Sequence, residues 1–215
     1  MKLFLVEYLR SIKIDGVKEL KEISYSVMFD RIEAGTYLVA GAVTDGNLKI
    51  KNISQKIIKT ELNILKKIGS KIIVKKNEVQ IIGNKKIKNM KIKTAPYPGF
   101  PTDLQAQMMV LLCKANKSSI IQEDIFENRF MHVAELQRLG AKINIKNNKA
   151  IIDGQTNFIG AELMSSDLRA SVALVLAAIV ANGKSIINRI YHLDRGYENI
   201  EKKLKKIGVK IKRLK

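Results

Sequence analysis

Apolar residues are distributed along this sequence in two recurring ways. Residues 104–115 and 168–181 are apolar nearly all round, the pattern of a helix enclosed on every side rather than resting one face on a core. Elsewhere the apolar positions form a stripe. Tyr197, Ile200, Leu204 and Ile207 step by 3, 4 and 3 positions along one edge, while Lys202, Lys203, Lys205 and Lys206 fall on the opposite, solvated face. Shorter apolar runs predict strands: 71–74 with 79–82 as a hairpin turning at 76–78, and 143–145 with 150–152 as a second one turning at Asn147 and Asn148.

These elements recur in three units. Each opens at an aspartate leading into an apolar helix (DRIEAGT from Asp30, DLQAQ from Asp103, DLRAS from Asp167) and continues through a short strand (LKIKN from Leu48, SIIQE from Ser119, SIINR from Ser185). Each then closes a second helix with IGSKI, LGAKI or IGVKI, placing Gly69, Gly140 and Gly208 at 39, 37 and 41 residues from the opening aspartate. A repeat this regular fixes architecture before any motif is considered. The aspartate can cap the free N–H groups of its helix, and the glycine can supply a left-handed C-terminal cap. In the third unit no second hairpin strand is readable before Lys215.

Enclosed inner helices carried by strand-bearing units predict an α/β fold with the helices packed centrally and the sheets outside. The units span about 30–95, 96–160 and 161–215. Residues 1–29 do not belong to the repeat. Their strand-like pieces at 4–8 and 11–14, with YSVMF from Tyr25, read as the tail of a preceding domain.

With 46% apolar and 27% charged residues among 215, the chain can bury a substantial core. A single cysteine, Cys113, precludes an internal disulfide, and the apolar start of the chain is broken by Glu7 before any cleavage site, so the sequence points to a reducing, cytoplasmic setting. The longest apolar run, 172–181, is too short to cross a bilayer and follows directly on Asp167 and Arg169. The formal charge of +19 raises nucleic acid as a partner. Its distribution argues against that: 31 lysines and 8 arginines are scattered over every segment, and no aromatic stacking motif stands among them. A basic field of this kind still steers small phosphorylated anions.

Five strings, DRIEAGT at 30–36, TAPYPGFPTDLQAQ at 94–107, FENRFMH at 126–132, DLRAS at 167–171 and IYHLDRGYE at 190–198, resemble the UDP-N-acetylglucosamine enolpyruvyl transferases in order and spacing. The resemblance implies an inside-out α/β barrel domain of three βαβαββ-type units, in agreement with the repeat. Family members are roughly twice as long, so it also implies a C-terminal half: a second domain at 30–215 and a remnant of the first at 1–29. The family's catalytic cysteine loop has no counterpart here, and Cys113, midway along an enclosed helix, does not replace it.

The resemblance implies UDP-N-acetylglucosamine and phosphoenolpyruvate as substrates and no organic cofactor. It makes Asp103 the base that takes the proton from the sugar 3-hydroxyl, a role suited to a carboxylate at a loop tip; the plainer reading of Asp103 is a helix cap. Asp167 is placed in the same cleft, and Ile125 in the wall of the nucleotide-sugar site. Arg129, Arg169 and Arg195 are implied to bind the carboxylate and phosphate of phosphoenolpyruvate. In a chain so rich in lysine, a retained arginine marks a planar fork that an ammonium cannot reproduce, and all three fall at or beside predicted helix starts, where N–H groups favour anions. His132 and His192 share no metal-like spacing, and no metal is proposed. Two other readings remain at this point: a fragment of the shikimate-pathway enolpyruvyl transferase, and a non-catalytic RNA-binding module. The missing catalytic loop implies a fragment of a split, degenerate or truncated transferase, inactive alone, that either pairs with a separate N-terminal half or has no activity.

Overall fold

The computed structural model describes residues 3–5 and 12–214. In the first unit, α1 (Arg31–Val43) leads to β3 (Asn47–Lys51), α2 (Lys59–Ile68) and the hairpin β4 (Lys71–Lys75) and β5 (Glu78–Ile82). The second begins with β6 (Lys91–Lys93). A 3-10 turn at Thr102–Leu104 then runs directly into α3 (Gln105–Cys113), followed by β7 (Ser119–Gln122), α4 (His132–Arg138), β8 (Ile143–Lys146) and β9 (Lys149–Ile152). The third contains β10 (Glu162–Met164), α5 (Leu168–Ile179), β11 (Ile186–Asn188), α6 (Tyr191–Asp194) and α7 (Ile200–Lys206). Strands β1 (Leu3–Leu5) and β2 (Ile12–Ile14) pair antiparallel near the start; positions 6–8 and 11 of the expected strands lie outside the described residues.

The helices that read as apolar all round form the centre. Every residue of α3 is buried, and α1 and α5 both pack against it. A Cβ at Gly35 of α1 would run into the Leu104 side chain, so this glycine lets α1 approach the start of α3 closely. Three sheets cover the centre: β3-β5-β4, β6-β7-β9-β8 and β10-β11. In the first two, the face turned to the helices carries Val79, Ile81, Ile121, Ala150 and Ile152, none of them exposed. The helix C-caps follow the expectation, with Gly69, Gly140 and Gly208 at φ of 122°, 96° and 98°.

Three features depart from the sequence reading. Ile207, placed on the apolar stripe of the last helix, lies just past α7 and is 48% exposed. β6 and β10 were not anticipated, because three residues with one buried position each, Ile92 and Leu163, carry too little alternation to register. The third departure concerns the opening aspartates. Asp30 and Asp167 cap α1 and α5 through two backbone N–H groups each, but Asp103 caps nothing.

Candidate active site

Asp103 sits in the 3-10 turn rather than at the foot of a helix, so its carboxylate is free to face another partner. It faces two. Arg169, at the second position of α5, donates its Nε to Asp103 Oδ1, and Arg129 Nη1 approaches the same oxygen at 3.4 Å. Asp103 is 39% exposed and the arginines 36% and 18%, so the cluster is open to solvent and to a ligand. One carboxylate against two guanidiniums leaves a surplus positive charge, the complement of an anion with more than one acidic group.

Arg129 is held from beneath by the ring of Phe126, 4.1 Å from its guanidinium carbon. The loop carrying both residues lines an open groove of about 930 Å³, with Ile125 half-buried in its wall. Sequence reasoning missed the residue that shapes this loop. Glu123 is 3% exposed, and its Oε1 accepts from the N–H groups of Ile125 and Phe126 and from Thr94 Oγ1, while Oε2 accepts from Thr102 Oγ1 at 2.8 Å. It ties the loop of Ile125 and Arg129 to the two ends of the loop that delivers Asp103. Nothing in the sequence around it distinguishes this carboxylate from a solvated one.

Behind Asp103, Gln107 Nε2 donates to the Asp103 carbonyl at 3.0 Å and to Thr36 Oγ1 at 3.1 Å, and the Tyr197 hydroxyl bonds Thr36 at 2.8 Å. These contacts join α1, α3 and the turn before α7 beneath the site. Burial pushes the Tyr197 hydroxyl up to about 12, so it stays protonated. Arg195 corrects the sequence reading in part. It stands at the C-terminal end of α6, not at a helix start, and is exposed. Its neighbour Gly196 lies against Leu168, so close that a Cβ would crowd the leucine, which sets Arg195 beside the turn of α5 that carries Arg169. Asp167 is engaged as the cap of α5, its Oδ1 accepting from Arg169 and Ala170 N–H at 2.8 and 3.1 Å.

Cys113 is fully buried in α3, and burial pushes its thiol up to about 12. It is therefore neither ionised nor reachable. His132, on α4, is 3% exposed; burial lowers it from 6.5 to about 4, and the Asp167 carboxylate opposes this only partly. The unfolded chain therefore takes up a proton below pH 6.5 that the folded chain refuses until about pH 4. Stability should be unaffected above pH 6.5 and fall by on the order of 3 kcal/mol between there and pH 4. Urea unfolding of His132→Leu across this window should show a profile flattened by about that amount; an unchanged profile would assign the acid sensitivity elsewhere.

The sequence profile of EPSP synthase (3-phosphoshikimate 1-carboxyvinyltransferase) matches residues 5–204. The chain belongs to this enolpyruvyl transferase family. Among curated enolpyruvyl transferases it is 72% identical over 205 residues to the UDP-N-acetylglucosamine 1-carboxyvinyltransferase of Pelagibacter ubique, covering 95% of this chain and 49% of that protein. It is 50% identical to the Geotalea uraniireducens protein of the same name, over 95% of this chain and 49% of that one. The chain thus spans about half the length of the curated relatives it matches. Among solved structures, the enolpyruvyl transferase NikO of Streptomyces tendae superposes with a TM-score of 0.80 at 27% identity, over 86% of this chain and 44% of that one. EPSP synthase of Acinetobacter baumannii, at 16% identity and a TM-score of 0.67 over 88% of this chain and 44% of that one, shares the fold. The resemblance drawn from the five strings and the α/β enolpyruvyl transferase fold are both borne out.

Proposed function

We propose that this chain is the C-terminal half of a UDP-N-acetylglucosamine 1-carboxyvinyltransferase, transferring the enolpyruvyl group of phosphoenolpyruvate to the 3-hydroxyl of the sugar nucleotide in the cytoplasm. In this reading residues 1–29 belong to the tail of the first domain and 30–215 to the second, with units at about 30–95, 96–160 and 161–215. The observation that carries it is the exceptional state of Asp103. Of three aspartates at equivalent repeat positions it alone has left the capping role, and two guanidiniums hold it instead.

That arrangement makes a base whose release is tied to substrate. Asp103 offsets one of the two charges of Arg129 and Arg169 and occupies both guanidiniums through a single carboxylate oxygen. The carboxylate and phosphate of phosphoenolpyruvate compete for the same guanidiniums, with Arg195 supplying a third, and their arrival frees Asp103 to face the incoming sugar. Asp103 then takes the proton of the 3-hydroxyl as its oxygen bonds to the enolpyruvyl carbon. Ile125 and the groove beside it receive the nucleotide sugar, and Asp167 lies at the cleft margin. The group that protonates the methylene carbon comes from a separate N-terminal half with the cysteine loop. Elimination of phosphate from the tetrahedral adduct, with loss of a methyl proton, completes the transfer.

The test is phosphate release with both substrates present. The chain alone should give none, and the chain co-purified with the N-terminal half of the Pelagibacter ubique enzyme should give release dependent on the sugar nucleotide. Rapid release by the chain alone, or by the pair without sugar, would contradict the proposal.

A further inference from the structure

The residue four positions after the opening aspartate differs between the units: Ala34, Gln107 and Ser171. In the first and third, the aspartate carbonyl accepts from the backbone N–H at that position, Asp30 from Ala34 at 3.0 Å and Asp167 from Ser171 at 2.9 Å. Ser171 adds its hydroxyl to the same carbonyl, a bond that stays within one helix end. Gln107 reaches further. Its Nε2 donates to the Asp103 carbonyl at 3.0 Å and to Thr36 Oγ1 at 3.1 Å, with the Tyr197 hydroxyl at 3.4 Å. Thr36, Gln107 and Tyr197 come from the first, second and third units, and they are buried, at 2%, 0% and 3% exposure.

Polar side chains that meet in a core are costly unless every one is fully bonded. Gln107 is left short of that, because among the described residues its buried Oε1 has no hydrogen-bond partner. Turning the amide over would offer Oε1 to the two hydroxyls but set an oxygen against the Asp103 carbonyl. The amide is therefore oriented by Asp103, at the loss of one acceptor. A packed apolar side chain, as at the neighbouring Met108 and Met109, would suit the interior of α3 better. The other end of the junction also reaches the site. Tyr197 follows Arg195 by two residues, and Gly196 between them lies against Leu168, next to Arg169.

We propose that Gln107 is a positioning residue for the transfer: it fixes the turn of Asp103 and, through the hydroxyls of Thr36 and Tyr197, holds that turn in register with the segment carrying Arg195. The carbonyl it grips belongs to the residue whose carboxylate meets Arg129 and Arg169, so a displaced turn draws that carboxylate away from both guanidiniums. Thr36 and Tyr197 are too deeply buried to meet a substrate, and they act on Asp103 through Gln107.

This role presupposes the transfer proposed for the chain and its N-terminal half, so one readout is taken without that half. On the full 215-residue chain alone, NMR follows exchange of the Arg169 Nε–H with water. Its bond to Asp103 should slow that exchange by at least about tenfold against the Nε–H of the exposed Arg195. Gln107→Met, close in shape and without a donor, should remove most of the protection, and Tyr197→Phe, which deletes a single oxygen, a smaller part. The Thr36 and Tyr197 hydroxyls keep their own bond of 2.8 Å in Gln107→Met, so its urea midpoint should stay level. In the complemented pair, Gln107→Met should lower kcat by at least about tenfold while the KM for phosphoenolpyruvate stays level or falls. Adding Tyr197→Phe to Gln107→Met should change neither the Arg169 signal nor kcat further, because the route from Tyr197 is already cut. Three results overturn the proposal: Arg169 protection retained in Gln107→Met, additive effects of the two substitutions, or a loss of protection that only follows a fall in the urea midpoint. A pair without turnover counts against the transfer itself, and the Arg169 signal then decides the role of Gln107.

Discussion

Asp103→Asn in the complemented pair should lower kcat by about 10²- to 10⁴-fold, the usual contribution of a positioned general base, while the KM for phosphoenolpyruvate stays level or falls. The direction of the second effect separates the proposed role from a structural one. An amide cannot accept the 3-hydroxyl proton, yet it is nearly isosteric, so the turn at Thr102–Leu104 is retained. It also no longer offsets the charge of Arg129 and Arg169, which leaves both free for the anionic substrate without competition. Asp30→Asn is the matched control. Asp30 caps α1 through two N–H groups, and Asn caps almost as well, so turnover should be unchanged. Equal, small effects at both positions would reduce Asp103 to a structural residue.

The contrast between those two aspartates also shows what was legible in the sequence. Repeat spacing aligned Asp30, Asp103 and Asp167 and predicted a cap at each, because an aspartate before an apolar helix carries the same local signal whatever follows. What differs at Asp103 is that it lies inside a 3-10 turn that runs into α3, and the residue type at the unit's opening does not reveal that turn. The central helices were readable because enclosure on all sides leaves no polar face, a property written into every residue of α3 and most of α5. Glu123 was not readable for the opposite reason. Its burial depends on two threonine hydroxyls and two backbone amides converging from separate loops, and none of those partners is marked in its own sequence neighbourhood. Arg129 and Arg169 were found as individual cations, but only the fold brings them onto one carboxylate oxygen across 26 and 66 residues of chain.

The end of the last helix offers a direct contest between stripe reading and structure. Leu111, near the C-terminal end of α3, has no exposed surface, and α1 and α5 both pack against that helix. Leu111→Ala removes three buried heavy atoms from a site with packed neighbours on every side, so the cavity collapses little and the loss should be about 3 to 5 kcal/mol. Ile207 continues the 3, 4, 3 stripe of Tyr197, Ile200 and Leu204, and by pattern alone it belongs to the same core. The structure instead ends α7 at Lys206 and leaves Ile207 48% exposed, because Gly208 turns the chain away through a left-handed cap. Ile207→Ala should therefore cost less than about 1 kcal/mol, in keeping with a side chain that is only half removed from water. Urea unfolding of the isolated chain reads both through the midpoint, with the slope as a check that compactness is unchanged. A loss at Ile207 approaching that at Leu111 would mean that the stripe extends one residue further than α7 does and that the last apolar side chain is buried after all.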